Sequence, residues 1–258
     1  MTRLVIVGLV LLTFAGSINA QECYTLNINR ETMLLGLGGT FLTAGLVLSA
    51  RTDPVDPTLL RRESIFFLDQ FAAGFHDNVT RHLGDLTCVV ASGFPVALSV
   101  IAGTRESVLT DVVMLAESML LAQGLSRLAK GMIKRPAPFA YCADITGLDE
   151  SNDDLTRSFF SGHTTTAFCG AVFAGTVFQT RHPDSPWVRP VWLIGFAAAT
   201  ATAVMRVTSG NHFPTDVLAG AVIGSLTGWI VPRLHRTSNH KQTITLEMSR
   251  GFGLRMQF

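Results

Sequence analysis

The sequence is poor in charged residues for a chain of its length. Asp, Glu, Lys and Arg make up 15% of the 258 residues, whereas a soluble globular domain usually carries about 25%. Hydrophobic residues account for 48% and the mean hydropathy is +0.36, so the composition favours a membrane protein. The net charge of +1 gives no support for nucleic-acid binding. The chain has no internal repeat, and its length indicates one domain or at most two.

Cysteine is also scarce, and its spacing matches no zinc motif. The four cysteines are Cys23, Cys88, Cys142 and Cys169, and none belongs to a CxxC pair. Cys88 and Cys169 lie in apolar runs, which predicts that they are core residues. Cys23 and Cys142 lie in polar segments, so they are candidates for a disulfide in an oxidising compartment.

The N-terminus has the pattern of an export signal. Arg3 forms a short basic region, residues 4–14 an apolar stretch and residues 17–20 a small-residue exit. The pattern predicts a signal peptide cleaved after Ala20. Ile18 is less usual than alanine at the −3 position, which leaves an uncleaved signal anchor as an alternative, and a buried soluble helix as a third interpretation.

Apolar runs rich in Gly, Ala and Leu recur along the chain without strand-like alternation. They cover residues 33–50, 86–103, 108–125, 164–178, 190–205 and 217–231. Polar residues at their ends extend them to the ~20 residues of a spanning helix. The sequence therefore predicts an all-α fold, a bundle of about six transmembrane helices. Residues 64–79 carry Phe66, Phe67, Phe71 and Phe75 at mostly helical spacing, which predicts an amphipathic helix that spans poorly or lies in the membrane interface.

Two acidic residues interrupt the third apolar run. A charge at the bilayer centre costs about 2.5–3.5 kcal/mol on insertion scales. Asp111 and Glu117 must therefore face the bundle interior or a wet cavity, or the protein is not in a membrane.

Loop charges predict the orientation of the bundle. We assign to one face the basic residues Arg51, Arg61, Arg62, Arg105, Arg181, Arg189, Arg233, Arg236 and Lys241, and to the other the acidic residues Asp144, Asp149, Glu150, Asp153 and Asp154. The positive-inside tendency makes the first face cytoplasmic. The acidic face then points to the periplasm or exterior of an inner or plasma membrane. Within the C-terminal tail (234–258), residues 243–258 alternate weakly on both sides of Arg250 and Gly251, which predicts a small hairpin or a loosely ordered tail.

Three polar clusters lie at the outward ends of the apolar runs. They contain Lys130, Lys134 and Arg135; Ser158, Ser161, Gly162 and His163; and Arg206, Asn211, His212 and Asp216. Each has a plain interpretation as a helix cap or a membrane-flanking charge. Together, however, they gather cations, two histidines, a carboxylate and a free helix N-terminus on one face, a set that suits a phosphate ester.

Each residue type in this set has a role in phosphate chemistry. Lys and Arg side chains bind phosphoryl oxygens, and the N–H groups around Ser161 and Gly162 form an anion site at a helix start. His212 lies one turn before Asp216, so the carboxylate can orient the imidazole for attack on phosphorus. His163 can protonate the leaving oxygen. The cations make a metal cofactor unnecessary.

These clusters resemble the three motifs of the type 2 phosphatidic acid phosphatase family, which shares its fold with bacterial acid phosphatases and vanadium haloperoxidases. The motifs run Lys-x6-Arg-Pro, Pro-Ser-Gly-His and Ser-Arg-x5-His-x3-Asp, and residues 108–231 carry the resemblance. The matching residues are Lys130; Ser161, Gly162 and His163; and Arg206, His212 and Asp216. The resemblance implies an α-helical core and a phosphohistidine mechanism with His212 as nucleophile and His163 as acid.

Three positions depart from the motifs. Ala137 stands where the first motif has Arg, Phe160 replaces the Pro before Ser161, and Met205 replaces the Ser before Arg206. The change at Ala137 removes a phosphate ligand. Arg135 is the candidate to compensate, with Lys134 behind it.

The sequence thus predicts a membrane phosphatase acting on a lipid phosphate or pyrophosphate. It divides into a signal segment (1–20), N-terminal membrane helices (21–107), a phosphatase core (108–233) and the tail. The alternatives are a secreted soluble acid phosphatase acting on small esters, a vanadate-dependent haloperoxidase, an inactive membrane homologue, and a non-enzymatic scaffold or transporter.

Overall fold

Six long helices form the part of the chain that the computed structural model describes, residues 23–50, 60–142 and 155–237. They are α1 (Ile28–Ser49), α2 (Asn78–Ala102), α3 (Arg105–Ile133), α4 (Gly162–Arg181), α5 (Val188–Thr208) and α6 (Pro214–Leu234). The predicted all-α fold is confirmed. Within these residues the only β pairing is an isolated bridge between Tyr24 and Arg236. The signal pattern, the acidic loop residues 144–154, Arg51, Lys241 and the tail beyond residue 237 lie outside the described residues.

The bundle is built around α4. This helix packs against α2, α3, α5 and α6, and nearly all of its side chains from Thr164 to Phe178 are buried. The other five helices are long and apolar enough to cross a membrane. Large apolar side chains such as Val89, Leu193 and Leu218 are exposed on their outer faces, as expected for a surface that faces lipid. The protein is therefore a membrane protein.

Glycine ridges let the helix backbones approach closely. Gly220, Gly224 and Gly228 follow one another along one face of α6, where an added Cβ would lie 2.7, 2.1 and 2.4 Å from backbone carbonyl oxygens of α4. Small residues at every fourth position are typical of tight helix pairs in membranes. A similar contact joins α1 to α3: Gly38 meets Leu120 and Gly45 meets Arg127, so these two helices run parallel.

The two acidic residues of α3 face the interior of the bundle. Asp111 is buried and accepts hydrogen bonds from Arg181 at 2.6 Å and from Ser99 at 2.9 Å. Glu117 is fully buried beside His235. This confirms the first of the alternatives that the sequence left open for them.

The segment 64–79 is not an amphipathic helix, and that prediction is wrong. It contains a short 3₁₀ turn, Gln70–Ala72, and otherwise irregular backbone until α2 begins at Asn78. Gly74 has a φ of +84°, which a continuing right-handed helix does not allow. The segment instead turns Asp69 inward, where its carboxylate is fully buried against the N–H of Thr215. Phe66, Phe67 and Phe71 are left more than half exposed.

The proposed pairing of Cys23 with Cys142 is also wrong, since both are free thiols. The Cys23 Sγ lies 3.8 Å from the carbonyl oxygen of Thr180, near the end of α4. The Cys142 Sγ lies 3.4 Å from the carbonyl oxygen of Gly74, at the end of the bundle where α4 begins. We call these two ends of the bundle the Arg181 end and the Ser161 end.

Two of the basic residues assigned to the cytoplasmic face lie at the opposite end of the bundle from the others, so that part of the prediction is wrong. Arg62 donates to the carbonyl oxygen of Tyr141 at 3.2 Å, so Arg61 and Arg62 lie at the Ser161 end rather than opposite it. The reason is that residues 60–77 form one connection between α1 and α2 at that end. The remaining basic residues of the set that the structure describes lie at the Arg181 end, as predicted: Arg105, Arg181, Arg189, Arg233 and Arg236.

We expect Gly224→Ala to destabilise the protein, because the new Cβ would overlap the Thr165 carbonyl oxygen; overpacking of this kind costs about 1–3 kcal/mol. Gly36→Ala is the matched control, since nothing lies within 4 Å of an added Cβ at this helical position and Gly→Ala in a helix gains about 0.5–1 kcal/mol. Thermal unfolding in detergent measures both. Equal melting temperatures for the two variants would contradict close α4–α6 contact.

Candidate active site

The Ser161 end of the bundle brings the three polar clusters together. Lys130 lies in the last turn of α3 and Ser161 caps α4. Arg206 lies in the last turn of α5, and Asp216 in the first turn of α6. His212 lies in the short connection between α5 and α6.

His212 is held in one orientation by backbone groups. Its side chain is 4% exposed, and its Nδ1 lies 2.7 Å from the carbonyl oxygen of Ser158. A carbonyl oxygen only accepts hydrogen bonds, so Nδ1 carries the hydrogen and the neutral ring keeps its lone pair on Nε2. The turn requires Gly210, which has a φ of +77° and lies so close to Phe75 that an added Cβ would be 1.7 Å from its carbonyl oxygen.

The expected direct contact between Asp216 and His212 is replaced by a relay through Ser158. The Asp216 carboxylate accepts from the Ser158 hydroxyl, from the Phe213 N–H at 2.8 Å and from Arg135 at 2.5 Å. The carboxylate accepts from the Phe213 N–H because Asp216 lies in the first turn of α6 and caps the start of that helix. The prediction that Asp216 orients the ring directly is therefore wrong; it orients the residue whose carbonyl holds the ring.

The surroundings of His212 keep its imidazole neutral. Burial lowers the pKa of His212 well below the ordinary 6.5, and the positive charges of Lys130 and Arg206 act in the same direction. The hydrogen bond to Ser158 opposes this change in pKa. At neutral pH the ring therefore presents an unprotonated Nε2, the form that a nucleophile needs.

Asp85, near the start of α2, is a site residue that the motifs do not contain. Its Oδ1 lies 3.1 Å from His163 Nε2 and 3.0 Å from an Arg206 nitrogen. The carboxylate thus bridges a candidate acid and a candidate phosphate ligand that come from different helices. The sequence signal was slight: a single acidic residue directly before the apolar run 86–103.

Ser161 and Gly162 have separate roles in the geometry. Ser161 is fully buried and its Oγ accepts from the N–H of Thr164 at 3.4 Å, so its hydroxyl caps α4. A Cβ added to Gly162 would lie 3.3 Å from the Gln123 side chain and 3.4 Å from Ser126. The absence of a side chain at Gly162 lets the start of α4 approach α3 closely.

A cavity of about 240 Å³ opens beside these groups, between α2, α3 and α4. Its lining comprises Cys88, Gln123, Ser126, Arg127, Lys130, Gly162, His163 and Thr166. Arg127, one turn before Lys130, is exposed and is a second site residue that the motifs do not contain. The cavity therefore joins a histidine, two cations and the start of α4 within one volume.

Arg135 lies beside this centre with carboxylate partners of its own. Its guanidinium contacts Asp69 at 2.7 Å and Asp216 at 2.5 Å, and it stacks on Phe213 at 4.4 Å from the ring centroid. Ala137, at the motif position, is buried in an apolar cluster with Phe139. That Arg135 replaces the phosphate ligand missing at Ala137 stays a prediction. The contacts of Arg135 join Asp69, in the 60–77 connection, to Asp216 of α6.

We expect the His212 ring to stay neutral near pH 6.5, where an unperturbed histidine is half protonated. Because the folded pKa is lowered, protonation should begin only as the pH falls well below that value. Nitrogen NMR of histidine-labelled protein in detergent measures this, and His212→Asn identifies the signal. Titration of the His212 signal at pH 6.5 or above would contradict the burial and charge described for it.

Comparison with known proteins supports the resemblance on independent grounds. The chain is 35% identical over 84 residues to a lipid A 1-phosphatase of Porphyromonas gingivalis, covering 31% of this chain and 18% of that one. It is 27% identical to an undecaprenyl-diphosphatase of Sulfolobus acidocaldarius, covering 54% and 60%. The chain thus spans less than two thirds of these relatives.

The chain is also similar to a solved structure and matches a family profile. The crystal structure of a transmembrane PAP2-type phosphatidylglycerolphosphate phosphatase from Bacillus subtilis aligns over 91% of this chain and 96% of that one, with 21% identity and a TM-score of 0.40. The profile of the PAP2 superfamily matches residues 111–240, which contain all three polar clusters. The chain therefore belongs to the PAP2 superfamily.

Proposed function

We propose that the protein is a membrane phosphatase that removes phosphate from a lipid phosphate monoester or pyrophosphate. The observation that carries this proposal is the neutral, buried His212 with its Nδ1 hydrogen bonded to Ser158 and with Lys130, Arg206 and His163 close enough to influence its charge. A nucleophile, two cations and a proton donor are what a phosphoryl transfer without a metal requires.

In the first step, His212 Nε2 attacks phosphorus and the bond from phosphorus to the ester oxygen breaks. His163 gives its proton to that oxygen, so the lipid leaves as an alcohol, or as a shorter phosphate from a pyrophosphate. The imidazole becomes cationic as the P–N bond forms, and its Nδ1–H bond to Ser158 strengthens. Asp216 holds Ser158 in place, while Lys130 and Arg206 stabilise the phosphoryl oxygens.

In the second step, water attacks the phosphohistidine. His163, now neutral, takes a proton from the water, the P–N bond breaks, and inorganic phosphate leaves with His212 neutral again. Burial and the charge of Arg206 lower the pKa of His163 to about 4, and the Asp85 carboxylate, 3.1 Å from His163 Nε2, opposes this change. Asp85 therefore supports the cycle by favouring the protonated ring that the next turnover needs. Asp85 is a positioning residue here, because it acts through His163.

The lipid character of the substrate rests on the surface around the site and on the relatives. Val89 and Val90 of α2 follow the cavity residue Cys88 and are exposed, so an acyl or prenyl chain can lie along the outer face of the helix. The two curated relatives are named for lipid A 1-phosphate and for undecaprenyl diphosphate. Both names describe a phosphate group on a lipid.

The other candidate functions are each less well supported. The exposed apolar faces of five helices argue against a secreted soluble acid phosphatase. A non-enzymatic scaffold or transporter gives no reason for the Ser158–His212 geometry. Vanadate tests the haloperoxidase alternative, since it would inhibit a phosphatase and activate a haloperoxidase. Turnover of a lipid phosphate by the purified protein would exclude an inactive homologue.

We expect replacement of His212 and replacement of His163 to have different effects on turnover. His212→Ala should abolish turnover and any acid-labile phosphoenzyme seen with labelled substrate. His163→Ala should slow an alkyl phosphate ester by about 10²–10⁴-fold and p-nitrophenyl phosphate much less, because that leaving group needs little protonation. Asp85→Asn should reproduce the pattern of His163→Ala in weaker form.

The matched control is His182→Ala, a histidine at the Arg181 end, which should keep wild-type turnover. Phosphoenzyme that still accumulates on the His212→Ala protein would contradict the nucleophile assignment. An equal loss on both esters for His163→Ala would contradict its role as the acid.

We also propose that the Ser161 end faces the periplasm or exterior. The basic residues at the Arg181 end support this orientation. Arg61 and Arg62 count against it, and so would the predicted cleavage after Ala20, because the new N-terminus and the Arg181 end would then lie outside. A membrane-impermeant thiol reagent tests the orientation on two single-cysteine variants. Cys142 should be labelled in intact cells, and Cys23, at the Arg181 end, only after the cells are permeabilised. The reverse pattern would invert the orientation.

A further inference from the structure

A second polar cluster lies toward the Arg181 end of the bundle, away from the proposed active site. It consists of Glu31 in the first turn of α1, Glu117 in the middle of α3 and His235 directly after α6. One oxygen of each carboxylate and one imidazole nitrogen all lie within 4.8 Å of one another. None of these residues belongs to the motifs of the family.

The spacing of these atoms suits a metal ion. His235 Nε2 lies 3.0 Å from Glu31 Oε1 and 3.1 Å from Glu117 Oε2. Ligands about 2.0–2.1 Å from a zinc ion are separated from one another by about 2.9 Å at right angles and about 3.3 Å at tetrahedral angles. The two separations from His235 lie between these values, and the two carboxylate oxygens lie within 4.8 Å of each other.

The imidazole is oriented as it is in a metal ligand. His235 Nδ1 lies 2.8 Å from the carbonyl oxygen of Val231, so it donates its hydrogen there and turns Nε2 toward the carboxylates. Histidines that bind metals commonly donate their other N–H to a carbonyl or carboxylate in this way.

The cluster contains polar atoms that the protein itself does not satisfy. Glu117 and His235 are both 0% exposed. Neither oxygen of Glu117 has a hydrogen-bond partner in the described part of the chain, and the same holds for Glu31 Oε2 and His235 Nε2. Three atoms with lone pairs thus converge in a buried space, where they repel one another unless a positive charge lies between them.

Nearby cations compensate only one of the two carboxylates. Arg30 lies 2.9 Å from Glu31 Oε1, at the margin of the cluster. Glu117 has no comparable partner among the described residues. A divalent cation between the three ligands would balance the charge of Glu117 and the unsatisfied oxygens together.

We propose that Glu31, Glu117 and His235 bind one divalent transition-metal ion, with Zn²⁺ best suited to this set of nitrogen and oxygen ligands. The ion would join α1, α3 and the end of α6. Since α1 lies outside the residues that the PAP2 profile matches, the metal would fasten this helix to the matched core. Its role is structural and separate from phosphoryl transfer.

The experiment uses the full-length protein, purified in detergent, treated with EDTA and then given ZnCl₂. We expect one zinc per chain by elemental analysis and a rise in melting temperature that EDTA reverses. Glu117→Gln and His235→Asn should each weaken zinc binding by roughly tenfold or more and remove the thermal shift. Co²⁺ in place of Zn²⁺ should give d–d absorption bands that are lost in the same variants.

Two control variants make the result specific. His182→Asn changes another histidine that directly follows a helix at the same end, and His212→Ala removes the proposed nucleophile. Both should bind zinc as the wild type does.

The proposal is overturned if the wild type retains no zinc and its melting temperature does not respond to the metal. A melting temperature for Glu117→Gln at or above that of the wild type, with and without zinc, would also overturn it, because it would show that no bound metal ion depends on the Glu117 carboxylate. Zinc binding that survives both ligand variants but not His212→Ala would assign the ion to the active site and overturn the proposal. If His235→Asn does not fold, Glu117→Gln alone decides.

Discussion

The buried carboxylate of Asp216 is the contact on which the geometry of the candidate site depends. It receives hydrogen bonds from Ser158 before α4, from the start of α6 and from Arg135 after α3. Through Ser158 it fixes the His212 ring, and through Arg135 it is connected to Asp69 of the loop between α1 and α2. Three separate connections at one end of the bundle, those between α1 and α2, between α3 and α4 and between α5 and α6, are thus linked through one anion. A buried charge of this kind is stable only while each partner is present, which makes the arrangement of these connections mutually dependent.

The glycine ridge of α6 explains how such a dense polar layer can form in a membrane protein. Gly220 lies against the carbonyl oxygen of Ser161, so the starts of α4 and α6 are as close as two backbones allow. That proximity lets Asp216 reach Ser158 across the helix pair. The apolar packing below and the polar network above are therefore parts of one arrangement, in which a longer side chain on the ridge would separate the two helix starts.

The sequence predicted the features that are local and missed those that depend on a distant partner. The apolar runs identified the six helices, and the motif spacing placed Lys130, His163 and His212 at one end, because both signals lie within a few turns of the chain. Asp85 and Asp69 are single carboxylates whose partners, Arg206 and Arg135, lie far away in sequence. Glu117 was recognised as an inward-facing charge, but its neighbour His235 follows it by more than a hundred residues. The amphipathic helix 64–79 was mispredicted because its phenylalanine spacing is helical while the burial of Asp69 imposes a different backbone.

The enclosure of α4 has a consequence for how the protein enters the membrane. This helix carries buried threonines such as Thr164, Thr165 and Thr176, and it is the one long helix in the described part of the chain that lacks the hydropathy of a membrane span. Released into lipid alone, it would expose those hydroxyls and the charged Arg181 to hydrocarbon. Its stable insertion therefore has to wait until neighbouring helices provide a surface that shields it, so that the histidine at its start reaches its place only as the bundle closes around it.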